Sequence, residues 1–188
     1  MSGMINMKRV WELQAEKEKP QISKNKAIEI AMKKTSEIMG TKIMAKITPL
    51  ATEPPTDARL RWSPGYMRKI WETEIPTLFR GKKTTVKIDA ETGEVVGWYN
   101  PLAAEIADEV LIDKETAINL AKTKVEIPSD AKLKEVTFTS HGQVGFRCLV
   151  KWEHEVKGVP IEGDFIQVRI NPKTKEVISI SKTWSEVK

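Results

Sequence analysis

The stretch IDKETAINLAKTK, residues 112–124, restates ISKNKAIEIAMKK, residues 22–34. Ile, Lys, Ala, Ile and Ala recur in the same register, and Leu120 stands in for Ile30. Both stretches read as helix starts. Ser23 and Asp113 offer side-chain oxygens to the amides that a new helix leaves unpaired, and apolar residues follow at helical spacing. Ile28, Ala31, Met32, Thr35, Ile38 and Met39 form one stripe. Ala117, Ile118, Leu120, Ala121 and Val125 form a shorter one, which Pro128 should end.

Two further motifs recur in the same order. WETEI (residues 71–75) is echoed by WEHEV (residues 152–156), and VKIDAETGEVV (residues 86–96) by VRINPKTKEVI (residues 168–178). Such self-similarity has to be recognised before a fold is named. Val144, Phe146, Cys148, Val150, Trp152, His154 and Val156 share one parity and mostly charged residues the other, the pattern of a long half-buried strand. Met67, Trp71, Thr73 and Ile75 repeat it less cleanly. TTVKID and FIQVRI continue as strands, and the turn-rich DAETGE and NPKTKE lead into VVGWY and VISIS.

The expected fold class is therefore α+β. Two tandem units would each pack one helix on its own antiparallel sheet of three to four strands, with Trp71 and Trp152 at equivalent sites. Residues 22–100 form the first unit and residues 112–188 the second. Residues 101–111 read as a linker in which Pro101 opens a short helix and Ile106 and Val110 lie one turn apart. Residues 1–21 read as a further helix carrying Met4, Met7, Val10, Trp11 and Leu13, or as the stub of a membrane anchor.

In 188 residues, 31 Lys and Arg face 26 Asp and Glu, with the two signs interspersed. That distribution describes solvated faces better than a nucleic-acid footprint. The single cysteine, Cys148, forms no internal disulfide. No apolar run approaches the ~20 residues that span a bilayer, and the start lacks the apolar core of a signal peptide. As given, the chain reads as soluble. It would be cytoplasmic, or a cell-envelope protein if an export signal or anchor lies outside this sequence.

The histidine-glutamate pair in WEHEVKGVPIEGD, residues 152–164, raises the question of a zinc peptidase. Such a site needs a second histidine one helical turn on, and Gly158 occupies that position. The alternation places His154 on a strand, at the edge of a packed face, with Thr73 as its counterpart. Glu72 with Glu74, and Glu153 with Glu155, lie on a polar strand face that gives no reason for their ionisation to diverge. Cys148 reads as a small core residue. The sequence thus points to no catalytic residue, metal ligand or cofactor.

A rival signal is the interleaving of Arg59, Arg61, Arg68 and Lys69 with Trp62, Tyr66 and Trp71 around the turn residues Ser63, Pro64 and Gly65. Cations and rings in that mixture could hold phosphates while bases stack, the mark of a single-stranded nucleic-acid binder. They equally suit a protein-binding edge, where aromatic residues and arginine are enriched.

The combination of AIEIA (residues 27–31) or AINLA (residues 117–121), a Trp-Glu strand and the hairpin VKIDAETGEV (residues 86–95) resembles the PepSY domain. HEVKGVPIEGDFIQVRINPKTKEVIS, residues 154–179, is similar to the propeptide modules of thermolysin-like metallopeptidases and to YcdB-type repeats. In those, a Gly-Val-Pro-Ile element precedes an Asp-containing turn and a strand ending in an Asn-Pro turn. The resemblance spans residues 22–99 and 112–184 and implies a cystatin-like fold with a non-catalytic role. Such modules inhibit a peptidase, assist its folding, or stand in the cell envelope as regulatory units. The implied partner is a protein, in particular a separate peptidase, and contact with a membrane would require an anchor.

Val159, Pro160 and Ile161 form the candidate contact, with the proline suited to a bend or an edge. Arg59, Arg61, Trp62, Tyr66 and Arg68 form the second candidate surface. Two departures stand out. Lys175 replaces Gly93, which should force a different turn type, and YMRKIWETEIPTLFRGKK (residues 66–83) lacks the Gly-Val-Pro-Ile element.

Overall fold

The computed structural model describes residues 19–40, 57–63, 68–77, 82–140, 142 and 145–185. Helix α1 (Lys24–Met39) precedes strands β1 (Asp57–Ser63), β2 (Arg68–Pro76), β3 (Lys83–Asp89) and β4 (Val95–Tyr99). Helix α2 (Lys114–Lys122) precedes β5 (Ala131–Ser140), β6 (Phe146–Val156), β7 (Val159–Ile170) and β8 (Val177–Thr183). The expected N-terminal helix falls outside the described residues apart from its last few. No helix among the described residues is long and apolar enough to cross a membrane.

The caps form as expected. Ser23 Oγ accepts from the Lys26 amide at 3.3 Å and Asp113 Oδ1 from the Thr116 amide at 2.7 Å. Helix α1 buries Ala27, Ala31, Thr35 and Ile38, so Ala27 joins the expected stripe, while Ile28, Met32 and Met39 of that stripe are half-buried against the same core. Helix α2 stops at Lys122, well short of Pro128. There the Thr123 hydroxyl donates to the Leu120 carbonyl at 2.7 Å and the Lys124 amide turns back to Ala121, a tight closure that ends the helix without proline.

The strands do not form two sheets. All eight join in one antiparallel sheet of order β1-β2-β3-β4-β8-β7-β6-β5. Strands β4 and β8, each the last of its half, meet through Gly97↔Ser181, Trp98↔Ile180 and Tyr99↔Ser179. Pairing these two borders satisfies backbone groups that separate sheets would have left to water. Helix α1 packs over β1 to β4 and α2 over β5 to β7, and both contribute to one continuous core.

The ladder register shows which residues correspond. Val86 pairs with Trp98 as Val168 pairs with Ile180, and Ile88 with Val95 as Ile170 with Val177. The seam is therefore symmetrical about the Trp98–Ile180 pair. Strands β2 and β6 follow another offset: Trp71 pairs with Ile88 where Cys148 pairs with Ile170, and Ile75 pairs with Thr84 where Trp152 pairs with Ile166. So Trp71 and Trp152 are both buried but are not at equivalent sites. WETEI and WEHEV look alike because both alternate, and the counterpart of His154 is Thr77 rather than Thr73.

Two further expectations change. Lys175 adopts a positive φ of 64°, close to the 78° of Gly93, and each amide returns to the residue four earlier, Asn171 or Asp89. The second hairpin thus uses the same turn in spite of its lysine. The linker is a series of turns rather than a helix. Asn100 Oδ1 accepts from the Leu102 amide, Asn171 Nδ2 donates to the carbonyls of Ala103 and Glu105, and the Phe146 amide donates to Ala107 at 2.7 Å. Carbonyls that a helix would use internally are already engaged, and Ile106 and Val110 remain exposed.

Candidate partner-binding site

Strands β6 and β7 run past their neighbours. Strand β5 accompanies β6 only as far as His154, opposite Ala131, and β8 accompanies β7 only from Phe165, opposite Thr183. Among the described residues, no ladder joins residues 156–163 to a third strand. In the first half the same connection is the shorter residues 77–82, where Thr77 Oγ1 donates to the Lys82 carbonyl at 2.8 Å. Among the described residues the projecting hairpin occurs in the second half alone.

Its turn is set by Lys157 and Gly158, with φ of 52° and 82°. Positive φ at both central residues is the two-residue turn whose twist matches paired strands. Val156 pairs with Val159 and Glu155 with Pro160, so the Gly-Val-Pro-Ile element is a paired strand rather than a bend. Pro160 is tolerated because, among the described residues, no strand pairs with it on the side of its missing donor. Val159 is 61% exposed, Pro160 is exposed and Ile161 half-buried. The tip thus presents an apolar patch flanked by the charges of Lys157 and Glu162.

At the hairpin base the register breaks. Four residues, Ile161 to Asp164, stand opposite the single residue His154, and this wide bulge turns the Asp164 carboxylate inward. Asp164 Oδ2 lies 2.8 Å from His154 Nδ1 and accepts from the Ser185 amide, while Oδ1 accepts from the Ser185 hydroxyl. His154 Nε2 lies 3.0 Å from Asp130 Oδ2. The ring is 1% exposed and stacks on Trp184 with centroids 4.4 Å apart. Both ring nitrogens face carboxylate oxygens, and an imidazole donates to both only when it carries two protons. The Glu155 amide donates to the Asp130 carbonyl, so β6, β7, the residues before β5 and the chain after β8 are all tied at this point.

His154 is thus a structural clamp within a strand, with neither nitrogen facing open solvent. Among the described residues no group of three or more His, Cys, Asp or Glu is arranged to hold a metal ion. The clamp partners Asp130, Trp184 and Ser185 were not legible as such in the sequence. Asp164 carried a faint signal, a carboxylate following Gly163 at the point where apolar alternation resumes.

The second candidate surface lies at the other end of the sheet, separated from the hairpin by β3, β4 and β8. Its cations are matched by carboxylates: Arg59 by Asp57 and Arg61 by Glu72, each at 3.5 Å, and Arg68 by the buried Asp89 at 2.8 Å. Trp71 is buried and donates from Nε1 to the Ile22 carbonyl at 2.7 Å. Trp62 is half-buried, and Tyr66 lies outside the described residues. Arg68 and Trp71 are thus tied into the fold, whereas the side chains of Arg59 and Arg61 stay more than half exposed.

Among the described residues the architecture is α+β, with two helices on one face of a single eight-stranded antiparallel sheet. Residues 21–99 match the PepSY family, described as the peptidase propeptide and YPEB domain. The Bacillus megaterium YpeB C-terminal domain has a similar fold, with a TM-score of 0.56 and 13% sequence identity over 90% of this chain and 70% of that one. No curated protein matches the chain.

Proposed function

We propose that this chain is a non-catalytic binding protein of two PepSY-like units, residues 22–100 and 112–188 joined by residues 101–111. It regulates or inhibits a separate peptidase, or another protein of the cell envelope, through the tip of the β6–β7 hairpin. The observation that carries the reading is the exposure of Val159 and Pro160 on a hairpin that outruns the sheet yet is clamped at its base. A clamped hairpin has little freedom left to lose on binding, so its apolar tip contributes more of its burial to affinity. The match of residues 21–99 to a peptidase propeptide family supports a peptidase as the partner class.

The test mixes the protein with a thermolysin-like peptidase and follows inhibition for the wild type, Val159→Asp and Ile161→Asp, with thermal unfolding confirming that each variant folds. Inhibition by the wild type that weakens about tenfold or more in the Val159 variant is the expected result. Equal inhibition by all three removes the hairpin as the contact. No inhibition by any, with salt-sensitive binding of single-stranded nucleic acid, returns the function to Arg59, Arg61 and Trp62.

A further inference from the structure

The last turns of the two helices meet over the β4–β8 seam at a cleft of about 230 Å³. Ile38 and Met39 of α1 and Leu120 of α2 line it from above, and Trp98 of β4 and Val177 of β8 line it from the sheet. The Trp98 indole is held in place by its donation to Thr35 Oγ1 at 3.2 Å. Pockets for drug-sized molecules run to about 300–1,000 Å³, so an occupant of this cleft is small. Its polar lining among the described residues is Asn100, Lys124, Lys175 and Glu176. Asn100 is 2% exposed, and its Oδ1 is taken by the Leu102 amide at 3.0 Å. Among the described residues nothing accepts from its Nδ2, whereas Asn171 spends the same atom on the Ala103 and Glu105 carbonyls. A buried donor left this way costs stability until an acceptor reaches it. Lys175 leads to the same place, since it holds a left-handed backbone with φ of 64° where the first half has Gly93. Strain of this kind persists where the side chain has a role.

We infer that this cleft binds a small aliphatic carboxylate, its chain against Ile38, Met39 and Leu120 and its carboxylate accepting from Asn100 Nδ2, Lys124 and Lys175. Lys124 Nζ reaches the Glu37 carbonyl at 3.5 Å, and an ammonium has two more N–H groups to give. Helix C-terminal carbonyls oppose an anion, but those of Ser36, Leu120 and Ala121 are already capped by the Gly40 amide, the Thr123 hydroxyl and the Lys124 amide. Glu176 is the single carboxylate of the described lining against two lysines, so the balance of charge favours an anion. Its own carboxylate suits the ammonium of an α-amino acid, which shares the aliphatic chain and the carboxylate with a short fatty acid. The cleft draws on both halves, because α1 and β4 come from the first and α2 and β8 from the second.

The site is tested by titrating the full chain with 4-methylpentanoate, and separately with leucine, at constant ionic strength and neutral pH, while following the Asn100 side-chain amide and Trp98 indole N–H resonances. Saturable shifts are expected, weakened about fivefold in Lys124→Gln and in Lys175→Gly but not in Lys132→Gln on β5. Asn100→Asp keeps an oxygen for the Leu102 amide but turns the donor into a second carboxylate oxygen, and should weaken binding about tenfold or more in a chain that thermal unfolding shows to be folded. A lysine present for the turn alone would leave the titration of Lys175→Gly unchanged. Binding of either compound supports the site: 4-methylpentanoate as tight as leucine or tighter places the ligand among short fatty acids, and leucine alone or tighter places it among apolar amino acids. Shifts that never saturate, no response to either compound, binding unchanged in both Asn100→Asp and the Lys124→Gln, Lys175→Gly double variant, or equal binding of 3-methylbutylamine, which lacks the carboxylate, overturn it. Val159→Asp should leave this titration unchanged, which separates the site from the hairpin.

Discussion

Asp89 and Asn171 hold corresponding hairpin turns with the same side-chain oxygen and differ in what the other side-chain atom grips. Asp89 Oδ1 accepts from the amides of Glu91 and Thr92, and Asn171 Oδ1 from those of Lys173 and Thr174, all at 2.8–3.1 Å. Asp89 Oδ2 takes the Arg68 guanidinium, whereas Asn171 Nδ2 donates to two linker carbonyls.

Asn171→Asp keeps the turn but sets a carboxylate oxygen against the Ala103 and Glu105 carbonyls. The side chain is fully buried, so the repulsion is poorly screened. A loss of about 2–4 kcal/mol is expected in urea unfolding, together with faster amide exchange across residues 101–107.

The reciprocal Asp89→Asn is milder, about 1–2 kcal/mol, since only the Arg68 pair is lost. Its pH dependence is diagnostic. Burial opposes ionisation of Asp89, but the Thr92 and Glu91 amides and the Arg68 guanidinium outweigh it and hold the carboxyl below its ordinary value. A depressed folded-state pKa stabilises above the unfolded value and ceases to as pH falls through the folded one. The gap between wild type and variant should be constant near neutrality and close only below the usual aspartate range.

Lys175→Gly should stabilise the protein by about 0.5–1 kcal/mol. The lysine holds a left-handed backbone that glycine adopts without strain, as Gly93 does in the first half. Thermal unfolding of the two proteins side by side decides it, and an unchanged or lower midpoint would show that the turn tolerates the lysine at no cost.

Cys148 sits in the core between β5 and β7, and burial pushes its thiol up to about 11. Neither thiolate nor access is available near neutrality. Iodoacetamide should modify it only once denaturant has unfolded the chain, and labelling of the folded protein would contradict the packing described.

The helix caps, the buried stripe of α1 and the alternating face of β6 were legible because each depends on residues close in sequence. The union of the sheets was not, since alternation tells which face of a strand is buried but not which strand lies beside it. The likeness of WETEI to WEHEV misled for the same reason: period two fits equally well when shifted by four residues. The linker's turns depend on Asn171, far away in the chain, and so escaped a local reading. The Gly-Val-Pro-Ile element was recognised as distinctive, but its projection reflects where β5 and β8 stop, which its own residues do not encode.

The pairing of β4 with β8 also bears on colloidal behaviour. The described sheet ends at β1, which carries Asp57, Arg59 and Arg61, and at β5, which carries Lys132, Lys134 and Glu135. Charges of this kind deter strands of other molecules from adding on. The seam segments VVGWY and VISIS carry none, Lys182 of β8 lying just past the paired residues, and are rich in residues prone to intermolecular stacking. Either half made alone would present such a border to its own kind, so each half acts as the other's guard against aggregation.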